Sequence, residues 1–410
     1  MALTDEQIEA LADDYLVDIY QTFEKNVIQD IARRVRSTDR LTETAEIMAR
    51  NMHEQGFSTA QIHAEVMRVL RADPAYVMTV AENTRQYKAM VTAEIKATVQ
   101  EARKAGNELI ASAGTMAYNN DLSMWELAGD TLKTQPSQLS QIVNSFQRDL
   151  NGQLRNLTRS TGFKGTLLGT TGVKQAYQRA LDVALLEVST GTFSFDAAAN
   201  MVVKELAHSG LRSIDYASGR SYQLDTAARM CVRTSTNQLA GRITERNVRS
   251  SSTDLVIVSQ HEGSRPEHAD VENQIFSLSG KSDVYPAFSD PLPVDGGNGA
   301  GYGDAAGICG VNCRHTFYPY WEGVSEIPEA LPEFEPVEVD GKTYDYYKAT
   351  QEQRSMEREI RALRREQYSA GSPDEVQEIA RKISAKTDDY HRFSEEVGIR
   401  AKDNRLRVVA

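Results

Sequence analysis

Residues 254–260, DLVIVSQ, decide how this 410-residue chain is to be divided. Four consecutive aliphatic positions, bounded by Asp254 on one side and by Ser259 and Gln260 on the other, carry no helical period and read as a buried strand. The hundred residues that follow gather glycine, proline and aromatic side chains with equally little helical period. That texture predicts a compact α+β module.

Upstream the chain reads as helix after helix. Tyr15, Ile19, Phe23, Val27, Ile31 and Val35 recur every four residues and place one apolar stripe on one long helix. TDEQ, from Thr4 to Gln7, has the form of a capping box ahead of it. Gly56 ends a second helix, and FSTAQI restarts the chain with Ser58 as N-cap, Gln61 at N3, and Phe57 and Ile62 as a hydrophobic staple. Asp73-Pro74 repeats the device, because proline at the first helical position loses no hydrogen bond. Far downstream, Met356, Ile360 and Leu363 form one stripe. After Gly371 and Ser372-Pro373, Val376, Ile379, Ile383 and Tyr390 form another, and the two are expected to face each other. The expected fold is mainly α with an α+β C-terminal module. It comprises an extended helical region over 1–250, a compact glycine-rich module over 251–340 and a C-terminal helical hairpin over 341–410.

Composition narrows the function classes. Apolar residues are 40% and charged residues 25%, which is ordinary globular usage, and the net charge of −12 argues against a sequence-independent DNA coat. No apolar run is long enough to cross a bilayer, and the start MALTDEQIEA lacks the basic and apolar regions of a secretory leader. The expectation is a protein of the cytoplasm or of something assembled there. Three cysteines make no disulfide framework and point to thiols or metal ligands.

Two basic stretches break the acidic background. From 150 to 181 there is no Asp or Glu, while Arg155, Arg159, Lys164, Lys174 and Arg179 are interleaved with glycine and threonine. This is either a contact for phosphates or an acidic partner surface, or a solvated loop. Arg229, Arg233, Arg242, Arg246 and Arg249 follow on a helix predicted to start near Asp225, where Asp225 and Arg229 are spaced to pair.

The chemistry-bearing side chains concentrate in HEGSRPEHAD (261–270) and GICGVNCRHTFYP (307–319). Cys309, Cys313 and His315, with His261 or His268, could supply the three or four N/S ligands of a Zn(II) site. The C-x3-C-x-H spacing departs from the usual zinc pairs, so the sequence alone favours a metal-free brace in which Cys309 is a small buried apolar group. A Cys313–His268 nucleophile, with Arg265 and Arg314 nearby, lacks an evident third orienting group. The glycine run DGGNGAGYGDAAGICG (295–310) lacks the Lys-Ser or Lys-Thr and the helix of a phosphate loop. Its glycines instead suggest backbone passing close to backbone.

Three blocks in order carry a resemblance: YASGRSYQLDTAARMCVRTSTNQLAGRITERN (216–247), SQHEGSRPEHADVENQIFSLSG (259–280) and GYGDAAGICGVNCRHTFYPYWEG (301–323). Together they resemble the phage minor capsid protein 2 family, relatives of the Mu-like head morphogenesis proteins. The resemblance marks Tyr216, Gly219, Arg220, Asp225, Arg229 and Arg233, then His261, Arg265 and His268. In the third block it marks Gly301, Gly303, Gly307, Gly310, Asn312, Cys313, Arg314, His315 and Pro319. Where the family commonly has Trp-Gln-Gly, this chain has Val271-Glu272-Asn273, and Asn273 can keep the left-handed turn a glycine would make.

The resemblance implies a low-copy, non-enzymatic virion protein that joins the head near the portal vertex during assembly in the host cytoplasm and serves DNA packaging or passage. Its implied partners are the portal protein, the major capsid protein and packaged DNA, with no membrane; the capped helices of residues 1–250, which expose more surface than a self-contained bundle requires, are expected to carry the contact with the portal or the inner capsid wall. No cofactor is implied, zinc being the one candidate. The rival readings are a metal-dependent hydrolase on His261, His268, Cys313 and His315, and a DNA-binding adaptor using Arg155 to Arg179.

Overall fold

A computed structural model describes residues 3, 7, 11, 15–134, 136–215 and 220–409. Thr4 of the first capping box and the signature residues Tyr216 and Gly219 lie outside the described residues. The chain is mainly α, with 62% helix against 8% strand, so packing of helix stripes rather than sheet pairing supplies most of the core. In chain order the helices are α1 (Tyr15–Arg36), α2 (Glu43–Glu54), α3 (Thr59–Ala72), α4 (Pro74–Leu127), α5 (Pro136–Arg159), α6 (Ala176–Val188), α7 (Phe195–Ser209), α8 (Leu224–Val248), the single turn α9 (Pro266–Ala269), α10 (Tyr346–Ser369) and α11 (Pro373–Glu396). The strands are β1 (Thr161–Gly165), β2 (Gly169–Gly172), β3 (Arg212–Ile214), β4 (Ser221–Gln223), β5 (Leu255–Val258), β6 (Ile275–Ser277), β7 (Phe317–Tyr320), β8 (Val337–Val339) and β9 (Lys342–Tyr344).

The punctuation expected of the helices is present. Ser58 and Gln61 close a reciprocal capping box at the start of α3, each accepting from the other's backbone N–H. The Asp73 carboxylate accepts from the N–H groups of Ala75 and Tyr76 in the first turn of α4, which begins at Pro74. Such caps contribute about 1 kcal/mol each.

Two compact units are each assembled from three separate stretches of chain. One takes residues 18–100, 157–227 and 353–410. Here Ile19, Phe23, Val27, Ile31 and Val35 of α1 are buried, as the four-residue stripe predicts. A four-stranded antiparallel sheet runs in the order β2-β1-β3-β4. Of the segment 150–181, one of whose readings is a solvated loop, residues 150–159 end α5, 161–172 form the β1–β2 hairpin and 176–181 begin α6. In the tail, Ile360 of α10 and Ile379, Ile383 and Tyr390 of α11 form one apolar cluster, with Met356 and Leu363 packed on it. Val376 departs from the expected stripe: it is exposed, one turn beyond the Ser372 cap.

An ion pair is buried in the same unit. The Glu24 carboxylate lies 3.6 Å from Arg365 Nε and accepts from the Leu211 N–H, while Arg365 also donates to the carbonyls of Ala207 and His208. Burial, which outweighs the attraction of Arg365, raises Glu24 from 4.5 to about 7.

The other unit takes residues 1–17, 101–156 and 228–352. Its three-stranded sheet has the order β6-β5-β7, antiparallel throughout. All four residues of β5 are buried, which is why DLVIVSQ reads as a continuous apolar run rather than an alternating one. Pro319 sits in β7, an edge strand, where a missing N–H interrupts no ladder. Phe288 stacks on Tyr302, meets Phe317 edge-on and lies tilted against Phe276, Phe317 also meets Tyr302 edge-on, and Trp321 meets Trp125 edge-on at 5.1 Å. The glycine run lets backbone approach backbone: a Cβ on Gly307 would run into the carbonyl of Gly301.

Two outcomes follow for stability. Ile360→Ala should cost about 2–5 kcal/mol in urea unfolding, and Val376→Ala less than about 0.5 kcal/mol, because only the first side chain lies inside the apolar seam; equal losses would contradict the seam. For Glu24, the folded chain holds its proton up to about 7 and the unfolded chain only to about 4.5. The folded state therefore binds more protons in that window, and stability falls as pH rises through it. Glu24→Gln should flatten that fall in unfolding curves measured across the window, whereas an unchanged slope would place the titration elsewhere.

Candidate functional site

The sheet's topology brings the candidate ligands to one place. Because β5 runs antiparallel to both β6 and β7, the end of β5 lies beside the beginnings of the other two. Ser259 to His261 leave β5 there, α9 and the turn 271–273 lead into β6, and Cys313 to Thr316 lead into β7. Mutual hydrogen bonds fasten the seam: the Ser259 N–H donates to the Thr316 carbonyl, and the Thr316 N–H donates to the Ser259 hydroxyl.

Three side chains meet at this end. His268 Nδ1 and His315 Nδ1 are 3.3 Å apart, and Cys313 Sγ lies 3.7 Å from the first and 3.5 Å from the second. All three are buried to within 2% of complete. The far nitrogen of each ring is anchored. His268 Nε2 donates to the Ala306 carbonyl at 2.7 Å, and His315 Nε2 donates to the Glu272 carboxylate at 2.7 Å. A carbonyl can only accept, so His268 carries its proton on Nε2 and turns the Nδ1 lone pair toward the cluster.

The electrostatics follow from this packing. Burial by itself would raise the Cys313 thiol, but hydrogen bonds and charge from His268 and His315 outweigh it and bring the thiol down to about 6. For His315, burial opposes the charged form, and the hydrogen bonds to Cys313 and Glu272 prevail and raise it. Cys309 behaves differently: burial, with Cys313 nearby, pushes its thiol well above the ordinary 9.

Of the five expected ligands, the structure gathers His268, Cys313 and His315 into one cluster. His261 stands beside it, its ring 4.2 Å from that of His315, in a second group with Glu272. Cys309 lies outside both groups and faces the carbonyl of His315 at 3.5 Å. Glu272 is the residue sequence reasoning missed. The only signal was its position in the run where the chain departs from the family pattern. In that run Asn273 does adopt the left-handed conformation, with φ of 58°.

The signature residues are mostly braces. Arg233 donates to the Asn312 side-chain oxygen, the Asn312 backbone N–H donates to the Thr234 hydroxyl, and Arg265 donates to the Val311 carbonyl. Asn312 is itself left-handed, with φ of 54°. Asn237, which sequence reading passed over, is fully buried and donates to the carbonyls of both Cys313 and His315. Asp225 forms an ion pair with Arg361 at 3.3 Å in the other unit. Arg229 and Arg314 are half-buried, and Arg220 is exposed. Among the first basic group, Arg155, Arg159, Lys164 and Lys174 are exposed, while Arg179 braces the β1–β2 turn through the carbonyls of Leu167 and Leu168. In the second group, Arg242 and Arg249 both pair with Glu245.

Comparison with known proteins adds identity to geometry. A "structural protein" of Lactococcus phage LL-H is 25% identical over 227 residues, covering 54% of this chain and 59% of that protein. The match thus spans about three fifths of the relative's length. No solved structure gives a significant match. The sequence model of one family, described as phage minor capsid protein 2, matches residues 74–394, which takes in both units and every residue of the cluster. The chain belongs to the phage minor capsid protein 2 family.

Proposed function

We propose that this chain is a low-copy component of a tailed-phage head, incorporated during assembly at or near the portal vertex. The observation that supports the reading is the family match across residues 74–394. The phage relative described as a structural protein agrees with it. The proposed partners are the portal protein and the major capsid protein, with packaged DNA as a further contact. Exposed Arg155, Arg159, Lys164 and Lys174 suit an acidic partner surface without the broad cationic face a genome-coating protein needs. Among the described residues no helix is long and apolar enough to cross a membrane.

Burial argues for a scaffold rather than a hydrolase. A scissile bond would have to displace the segments covering Cys313, His268 and His315 before any of them could touch it. The test is quantitative mass spectrometry of purified heads assembled with and without the portal protein. The chain should be present at few copies in portal-containing heads and lost from portal-free ones. Equal abundance in both, or absence from heads altogether, would overturn the reading.

A further inference from the structure

We propose that His268, Cys313 and His315 hold one Zn(II) ion through His268 Nδ1, His315 Nδ1 and Cys313 Sγ. The separations carry the inference. Zinc binds imidazole nitrogen at about 2.0–2.1 Å and thiolate sulfur at about 2.3 Å, so a tetrahedral ion sets its N···N edge at about 3.3–3.4 Å and its N···S edges at about 3.5–3.6 Å. The three edges here are 3.3, 3.5 and 3.7 Å. One face of a zinc tetrahedron is therefore already built.

Proton counting points the same way. With Nε2–H of each ring donated outward, to Ala306 and to Glu272, the cluster without a metal has one inner proton to share among three mutually facing acceptor atoms. One proton satisfies one edge at a time and leaves two lone pairs opposed in a buried space. A cation at the centre engages all three. Zinc also accounts for the outer contacts: a carbonyl behind one ligand histidine and a carboxylate behind the other are the partners that orient such rings and strengthen them as ligands. A thiolate with two imidazoles is a donor set that suits zinc rather than magnesium or calcium.

The site differs from the one the sequence suggests. Cys309 is outside it, and the C-x3-C spacing that weakened the zinc reading is irrelevant once the two ligands from that segment are Cys313 and His315. The fourth position is left to a water or an added ligand, and binding releases the cluster's one inner proton as the Zn–S and Zn–N bonds form.

The experiment uses the full chain purified without added metal, stripped with chelator, and titrated with ZnCl2 and with CoCl2. About one Zn(II) per chain is expected, and Co(II) should give tetrahedral ligand-field bands with a thiolate-to-cobalt charge-transfer band. Cys313→Ser should abolish the charge-transfer band and most of the zinc, while Cys309→Ser and Cys231→Ser should keep both. Should Cys313→Ser fail to fold, the cobalt spectrum of the unaltered chain decides alone. No stoichiometric metal after titration, a cobalt complex without a thiolate band, or loss of metal in Cys309→Ser would overturn the assignment.

Discussion

One buried amide holds the α+β module in register. Asn237 projects from α8 with both N–H bonds engaged, one to the Cys313 carbonyl and one to that of His315. Its neighbours on the same helix face complete the grip. Arg233 and Thr234, one turn earlier, hold Asn312, and Gly241, one turn later, leaves room for the Phe317 ring and the Cys309 sulfur within 3.2–3.4 Å of where a Cβ would stand. Positions 233, 234, 237 and 241 lie three or four residues apart, so they form one stripe. It receives the loop 309–317 as a helix partner would be received, with hydrogen bonds in place of apolar knobs. Losing the bond to Cys313 would leave its buried carbonyl without that donor, at about 1–3 kcal/mol.

This stripe explains why the cluster can be compact without a continuous sequence motif. Left-handed backbone at Cys309 and Asn312 turns the chain twice within four residues, and Asn237 fixes the outcome. The turn then delivers Cys313 and His315 to the end of the sheet where α9 presents His268 and the departing turn presents Glu272. The cluster thus draws two side chains from the segment before β7 and one from α9.

Much of this was legible in the sequence, for physical reasons that can be named. The strand at 255–258 announced itself because a run buried on both faces has no polar alternation, and the tail hairpin because Met356, Ile360, Leu363, Ile379 and Ile383 repeat at helical spacing. The glycines near 300–310 read correctly as close backbone approach. What escaped depended on tertiary placement. Cys309 and Cys313 look alike in sequence, and only the left-handed turn separates a thiol facing a carbonyl from one facing two imidazoles. Asn237 in mid-helix and Glu272 in a turn have no local pattern that distinguishes them from solvated polar residues. The assembly of each unit from three distant stretches is a property of contacts, which composition along the chain does not record.

The most direct measurement on the central constraint is hydrogen exchange by mass spectrometry on full-length Asn237→Leu, a substitution of similar size that removes both donors. Amide protection should fall across 301–317 while that of the α10–α11 seam at 360–390 stays unchanged. Protection of 301–317 equal to that of the unaltered chain would show that the loop holds itself, and would contradict the role given to Asn237.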